Sequence, residues 1–321
     1  MIKREDVLLQ SPWTRRRVIA GGVCLCCLPS LARAETLGRD FGVQEIAPSV
    51  FMRRGVDEEA SAANLDGIAN VGFIVGDASV LVTETGGSLA DGQWLRQKII
   101  EKTDKPIKYV VLSHVHPDHV FGAGAFLDDR PEFIGHHALP AALASRGNFY
   151  RERLIAILGE SRAGPLVMPT RLVRDEQQID LGARVISLKA HPPAHTTTDL
   201  SLLDHKTGLF LPADLLFVGR APSIDGSLTG WIGELENMRK MRYEKTVPGH
   251  GPVLVDFGTA AESLLHYLKT LRDGVRAELD GNGSIERAMA TVGLSERERW
   301  ALFDDYNQRN VAEAYKELEW Q

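Results

Sequence analysis

Three histidines and one aspartate occur within six residues near the middle of the chain. His114 and His116 follow an apolar run that predicts a buried strand, and Asp118 and His119 begin the next segment. Because His114 and His116 are two residues apart, they point to the same side of a strand end and can bind one metal ion. Pro117 ends the strand. Asp118 and His119 then face a neighbouring position, which predicts a second metal ion. Burying all four of these polar side chains without metal would be costly in free energy.

The elements that position these side chains begin with a β-β-β-α-β order. The strands are predicted over 43–53, 70–76, 78–83 and 107–112, and the helix over 87–103. A strand that follows a helix in this way favours a sheet covered by helices. Further segments predict a strand over 132–135, hairpins over 177–188 and 200–211, helices over 139–158 and 229–241, and a helical tail over 259–321.

Length and composition are those of an ordinary globular protein. The chain has 321 residues, 44% of them hydrophobic and 25% charged, with a net charge of -6. A chain of this length buries a core without disulfides, and its acidic balance does not favour a nucleic-acid or membrane-surface partner. The three cysteines are Cys24, Cys26 and Cys27. No thiolate zinc ligand is therefore predicted beyond the N-terminal segment.

Residues 1–34 have the order of an export signal. Residues 14–20 contain three consecutive arginines and resemble a twin-arginine motif, and the apolar stretch 18–28 is too short for a permanent membrane span. Ala32 and Ala34 form a small-x-small cleavage site before Glu35. We expect export to the periplasm and removal of residues 1–34, leaving 31 basic and 41 acidic residues and no stable membrane span. The alternative is a disordered basic N-terminus.

The pattern His-x-His-x-Asp-His after a strand resembles the signature of the metallo-β-lactamase-fold hydrolases. The resemblance covers nearly all of the chain after residue 34. It implies an α+β protein with the four-layer αββα metallo-β-lactamase fold, in which two β-sheets lie between helices. We expect this domain over 35–257 and a helical C-terminal extension packed on it over 258–321.

The same resemblance implies the remaining metal ligands. His195 stands in a turn like the family's Gly-His-Thr turn, Asp214 at the position of its bridging aspartate, and His250 in a Pro-Gly-His-Gly turn like that of its last ligand. Two zinc ions per chain are expected, although the ligand types also allow iron or manganese. The first ion would be held by His114, His116 and His195, and the second by Asp118, His119 and His250, with Asp214 between them.

Four other residues near these motifs have weaker assignments. Glu84 stands in a Glu-Thr-Gly turn where the family usually has aspartate, and it is interpreted either as a partner of the metal turn or as a surface glutamate. His191 is a candidate for a supporting contact behind the ligands. The adjacent pair His136 and His137 is interpreted as supporting or surface residues and not as ligands, because neighbours in a chain usually face apart.

Three histidines around one ion leave an open position, as in catalytic zinc sites. A water between two such ions would ionise near neutral pH and supply hydroxide to attack the carbonyl of an ester, lactone, thioester or amide-like small molecule. Asp118 is expected to be catalytic, either orienting this water or passing its proton to the leaving group.

Three stretches, 213–218, 223–231 and 310–320, resemble the quinoprotein relay system zinc metallohydrolases. That resemblance implies an exported protein associated with a periplasmic quinoprotein dehydrogenase and cytochrome system. Asp225, Ser227 and Trp231 are candidates for lining the substrate pocket, although turn chemistry and helix packing explain them equally well. Two alternative functions remain open: a metal-binding maturation or ligand-holding factor without turnover, and a β-lactamase.

Overall fold

Two β-sheets pack face to face, and helices cover their outer sides. The computed structural model describes residues 42–241, 243 and 245–321, all within one unit that spans residues 39–321. The α+β, four-layer prediction is confirmed, including the helical C-terminal region. The predicted export signal, residues 1–34, lies outside the described residues. Within the described part, no helix has the length and apolar character needed to cross a membrane.

The first sheet has seven strands in chain order. Neighbouring strands pair antiparallel from β1 to β4 and parallel from β4 to β7. Helix-containing connections between the parallel strands put helices on one face of the sheet. The strands are β1 Gln44–Ala47, β2 Val50–Arg53, β3 Val71–Val75, β4 Val80–Glu84, β5 Ile107–Leu112, β6 Glu132–His136 and β7 Arg171–Val173.

The prediction of one strand over 43–53 was wrong, because this segment is a hairpin. Ser49 has a positive φ of 58° and turns the chain between β1 and β2. The side chain of Glu45 accepts a hydrogen bond of 2.8 Å from the backbone N–H of Ser49 and stabilises that turn.

The second sheet has five strands in the order β12-β11-β10-β9-β8. Only the β11–β12 pair is parallel among these strands. The β11–β12 register is interrupted on both sides of Ala213, whose φ is 50°. The strands are β8 Glu176–Asp180, β9 Val185–Ala190, β10 Leu200–Asp204, β11 Leu209–Phe217 and β12 Lys245–His250.

Eight α-helices lie among the described residues. They are α1 Leu89–Lys102, α2 Pro117–Val120, α3 Leu139–Leu158, α4 Glu160–Ala163, α5 Leu228–Arg239, α6 Phe257–Asp280, α7 Ile285–Thr291 and α8 Phe303–Leu318. Two 3₁₀ segments, Phe121–Asp129 and Leu294–Arg299, complete the set. Side-chain caps begin two of the long helices, Ser88 on α1 and Asp256 on α6.

Two apolar cores hold these layers together. The first lies between the sheets and includes Ile74 and Leu81 from one sheet and Leu188 and Leu202 from the other. The second lies between the five-stranded sheet and helices α5, α6 and α8. The C-terminal helices therefore share a core with β11, the strand that carries the predicted ligand Asp214. The proposed domain boundary at residues 257 and 258 stays a prediction.

Candidate metal centre

All seven predicted metal ligands converge at one edge of the two sheets, where several strands end. They come from five places in the fold: the end of β5, helix α2, the turn after β9, strand β11 and the end of β12. All of them are buried except His116, which is partly exposed. The side chains that the structure brings together are His114, His116, Asp118, His119, His195, Asp214 and His250.

The first group contains three imidazoles and one carboxylate. Nε2 of His195 lies 3.0 Å from Nδ1 of His116 and 3.3 Å from Oδ2 of Asp214. Nε2 of His114 lies 3.5 Å from the same oxygen. The donor atoms of this group all lie within 4.8 Å of one another.

The second group adjoins the first through Asp214. Oδ2 of Asp118 lies 3.2 Å from Nε2 of His250 and 3.4 Å from Nε2 of His119. Oδ1 of Asp214 lies 3.1 Å from Nε2 of His119, and its Oδ2 lies 3.5 Å from Nε2 of His250. One carboxylate therefore reaches both groups. Gly249 has no room for a side chain, because a Cβ there would collide with Oδ1 of Asp214.

These separations fit metal coordination. Tetrahedral zinc with bonds of about 2.0–2.1 Å has ligand–ligand edges of roughly 3.3–3.4 Å, close to the N···O distances above. Nε2 of His114, Nε2 of His119 and Oδ1 of Asp214 are buried and have no hydrogen-bond partner among the described residues. Buried polar atoms are rarely left unsatisfied, so metal ions are the natural partners of these three. Ligation by the seven residues stays a prediction.

The electrostatics of the groups point the same way. Burial alone lowers the pKa of His119, but the carboxylates of Asp214 and Asp118 hold that pKa well above its usual value. Burial raises the pKa of Asp214, yet the neighbouring histidines His119 and His250 bring it well below the usual range. Burial and the nearby His119 lower the pKa of His114 strongly. Histidine binds metal in its neutral form, so metal binding would release the proton that the raised pKa of His119 favours.

Three of the imidazoles are oriented by hydrogen bonds at Nδ1, which leaves Nε2 facing the metal groups. His114 pairs with the hydroxyl of Ser113 at 2.9 Å. His195 bonds to the carbonyl of Ser223 at 2.8 Å, and His250 to the carbonyl of Ile68 at 3.0 Å. Such contacts set the tautomer and the direction of a ligand. Carbonyl partners have no signature in a sequence, and none was predicted.

Glu84 lies behind His119. Its Oε1 is 3.4 Å from Nδ1 of His119, and the residue is 5% exposed. Of the two interpretations left open by the sequence, the surface glutamate is therefore wrong. Burial raises the pKa of Glu84, while His119 opposes this rise.

Asp225 lies behind His116. Its Oδ2 is 3.3 Å from Nε2 of His116, whose Nδ1 faces the metal group. The guanidinium of Arg146, on α3, bonds to the same carboxylate. Burial raises the pKa of Asp225, but His116 and Arg146 outweigh burial and lower it. The sequence singled out Asp225 but not Arg146, because 79 residues separate the two along the chain.

Three predicted residues have other roles. Ser227 caps α5 by accepting a hydrogen bond of 3.0 Å from the backbone N–H of Gly230. It does not line the cavity beside the metal groups, which is described below. Trp231 is fully buried, and its ring packs at 5.0 Å from that of His195. His191 does not support the ligands through its ring, because Nδ1 and Nε2 bond to a glutamate and a serine away from the metal groups. Short-range patterns identify such side chains but not the direction in which they point.

The adjacent histidines lie outside both metal groups, as expected. Nδ1 of His136 accepts the backbone N–H of Ala138 at 3.1 Å. Burial, followed by the neighbouring His137, lowers the pKa of His136 to about 4. His137 is exposed.

A cavity of about 260 Å³ opens beside the two groups and reaches His116, Asp118, Asp214 and His250. Its other walls combine basic and aromatic side chains with apolar ones. The basic and phenolic residues are Arg153, Arg220, Arg309, Tyr150 and Tyr306, and the larger apolar residues are Ile68, Leu154, Ile157 and Phe217. Tyr306 and Arg309 belong to α8, so the C-terminal helix forms part of this cavity.

Asp66 is a further cavity residue that the sequence did not reveal. It is 3% exposed, with a φ of 61°. Burial, followed by repulsion from Asp118, raises its pKa well above the usual value.

Comparison with known proteins agrees with the geometry. Residues 65–250, more than half of the chain and including all seven predicted ligands, match the metallo-beta-lactamase superfamily. A linear primary-alkylsulfatase from Pseudomonas sp. is 22% identical over 236 residues, covering 61% of this chain and 43% of that protein. The alpha subunit of 2,4-dinitroanisole O-demethylase from Nocardioides sp. is 22% identical over 188 residues, covering 58% and 53%. The chain thus spans about half the length of these relatives.

Solved structures show the same fold. The stereoselective inverting sec-alkylsulfatase Pisa1 from Pseudomonas sp. superposes with a TM-score of 0.67 at 14% identity, covering 86% of this chain and 50% of that one. A metallo-beta-lactamase from Pontibacter korlensis gives a TM-score of 0.58 at 14% identity, covering 71% and 98%. Because the family match covers more than half of its residues, the chain belongs to the metallo-beta-lactamase superfamily.

Proposed function

We propose that this superfamily hydrolase works with two divalent metal ions. Its imidazole and carboxylate ligands favour zinc. The observation that carries the proposal is the position of Asp214, whose carboxylate lies between two groups of metal-binding side chains. Both groups open on one cavity. When bound, a pair of such ions acidifies water and polarises the oxygen of a substrate.

Asp118 is the residue that we assign to proton transfer. Its Oδ2 is held by His250 at 3.2 Å, and the residue also lines the cavity. His119 and His250 bring its pKa well below the usual range although burial raises it. A carboxylate kept ionised in this position accepts a proton from an attacking water and passes it to the leaving group.

A small molecule with an ester, lactone, thioester or amide-like carbonyl is the substrate that we propose first. We also propose export by the twin-arginine route and a link to a periplasmic quinoprotein dehydrogenase and cytochrome system. These two proposals are supported only by the sequence stretches described above. A β-lactam ring belongs to the same carbonyl class. A maturation or ligand-holding factor would have no need of an open position on its metal, which is the feature that favours the hydrolase.

Sulfate-ester hydrolysis is the second candidate. The cavity walls carry Arg153 and Arg309, which suit an anionic group, whereas the third arginine, Arg220, pairs with the cavity residue Glu59 at 3.4 Å. Apolar side chains such as Leu154 and Phe217 line the same space and suit an alkyl chain. Alkylsulfatases also occur among the relatives.

The test combines metal analysis with a substrate panel. The purified protein is analysed for zinc, iron and manganese, and turnover of lactone, thioester, β-lactam and alkyl sulfate substrates is measured with chelator and after metal is restored. About two ions per chain and chelator-sensitive turnover are expected. Asp214→Ala should abolish both, whereas Asp128→Asn, which alters an exposed carboxylate, should change neither. Metal without turnover would favour the holding factor, and the absence of metal would overturn the proposal.

Export is tested separately. Arg16→Lys combined with Arg17→Lys should keep the protein out of the periplasm, and the N-terminus of the exported wild-type protein should be Glu35. An unprocessed N-terminus or unaffected export would contradict the proposed signal.

A further inference from the structure

Outside the metal centre, a serine, a histidine and a glutamate are joined by two short hydrogen bonds. Nε2 of His191 lies 2.7 Å from Oγ of Ser201, and Nδ1 of His191 lies 2.8 Å from Oε2 of Glu234. His191 follows β9, Ser201 lies in β10, and Glu234 lies in α5. None of the three belongs to either metal group.

The order of these groups is that of an activated nucleophile. A hydroxyl contacts one nitrogen of an imidazole, and a carboxylate contacts the other. The hydrogen bond from His191 lowers the pKa of Glu234, so this carboxylate is ionised. An ionised acceptor at Nδ1 selects the tautomer with its proton there, which leaves Nε2 of His191 free to accept the proton of Ser201.

The three residues line a cavity of their own, distinct from the one beside the metal groups. It has a volume of about 410 Å³, within the range of small-molecule sites. Phe210, Met238 and Tyr243 give it apolar walls that suit a short acyl chain. Lys189 also lines this cavity, and it pairs directly with Ser201 across β9 and β10. Its positive charge suits the oxyanion that forms when a serine attacks a carbonyl.

We propose that Ser201, His191 and Glu234 form a second, metal-independent catalytic site that hydrolyses short-chain carboxylic esters. Oγ of Ser201 bonds to the carbonyl carbon while its proton moves to Nε2 of His191. The bond from that carbon to the alcohol oxygen then breaks, and the alcohol leaves with the proton. Water, deprotonated by the same imidazole, hydrolyses the acyl group from Ser201 and restores the site.

The test uses the full-length, metal-loaded protein and a fluorophosphonate, a probe that bonds covalently to activated serines. Mass spectrometry of the labelled wild-type protein is expected to place the adduct on Ser201. Because a general base contributes about 100-fold or more, His191→Gln should slow labelling by roughly that factor. Ser201→Ala should abolish the adduct, and it should also abolish hydrolysis of p-nitrophenyl butyrate that persists in chelator.

Ser187 is the matched control within the wild-type peptide map. It lines the same cavity and its hydroxyl bonds to a histidine, His205, at 2.8 Å, but no carboxylate contact to His205 is found among the described residues. Ser187 should therefore carry no adduct. The proposal is overturned if the wild-type peptide map shows no adduct on Ser201, or if His191→Gln labels at the wild-type rate. The wild-type map decides the question even if a variant fails to fold.

Discussion

Asn310, on the last helix, accepts a hydrogen bond of 2.9 Å at Oδ1 from the backbone N–H of Ile224. Its Nδ2 donates to the carbonyl of Pro222 at 2.7 Å. These two bonds hold the chain on both sides of Ser223, whose carbonyl orients the imidazole of His195. The C-terminal helix thus determines the direction of a side chain in the first metal group.

Asn310→Ala is therefore expected to weaken metal binding although Asn310 touches no predicted ligand. Loss of an outer contact to a metal-binding histidine typically costs about 10-fold or more in affinity. Competition with a chromophoric chelator measures the dissociation constant. Gln308→Ala, at an exposed position of the same helix, should bind metal like the wild type. Unchanged affinity in Asn310→Ala would show that the loop keeps its position without this side chain.

Asp225→Asn should also weaken metal binding, because the carboxylate behind His116 loses its charge. Oδ2 of Asp225 lies 3.3 Å from Nε2 of His116. We expect a loss of affinity of about 10-fold to 100-fold, visible in Co²⁺ titrations as a changed visible spectrum at the first group. Glu152→Gln, at an exposed site on α3, is the control. The wild-type spectrum and affinity in Asp225→Asn would contradict this role.

The sequence predicted the metal groups well because metal chemistry restricts residue types at short spacing. His114, His116, Asp118 and His119 were sufficient to predict two groups of metal-binding side chains on one turn before any fold was considered. Asp214 required the fold-level resemblance, because a single aspartate at a strand end has no pattern of its own. Most strands and helices followed from periodicity, but the turn at Ser49 was missed because its positive φ is stabilised by one side-chain contact.

The contacts behind the ligands could not be predicted, for a physical reason. They join residues that are far apart in the chain, as Asn310 and Ile224 are, and many of them use backbone carbonyls. His191 shows the converse error. Its place near a ligand in the sequence suggested a supporting contact, but its ring bonds to Ser201 and Glu234.

Glu84→Asp tests whether the longer side chain matters where the family usually has aspartate. Oε1 of Glu84 reaches to 3.4 Å from Nδ1 of His119, and aspartate would withdraw the carboxylate by one methylene. Metal affinity of the second group is expected to fall by about 10-fold in Glu84→Asp and at least as much in Glu84→Gln. Metal stoichiometry and competition titrations measure this, with Glu101→Gln, an exposed residue of α1, as control. Wild-type metal affinity in Glu84→Asp would show that aspartate and glutamate support His119 equally well.

His136 should make the free energy of unfolding depend on pH. Burial lowers the pKa of its imidazole from 6.5 to about 4 in the folded protein. Between these two values the unfolded chain binds a proton that the folded chain does not, so stability falls as pH falls from 6.5 and the loss is complete near pH 4. After allowance for solvent screening, we expect a contribution of about 1–2 kcal/mol.

His136→Asn removes this titration while keeping an acceptor for the N–H of Ala138. Urea unfolding of the wild type and of the variant at pH 7 and pH 4.5 gives the free energy of unfolding that each protein loses on acidification. The contribution of the metal groups is common to both proteins and cancels in the difference between the two losses. The wild type should lose about 1–2 kcal/mol more than the variant on acidification. His137→Asn, at the exposed neighbouring position, should lose as much as the wild type. Equal losses in the wild type and His136→Asn would mean that His136 is protonated alike in the folded and unfolded chains.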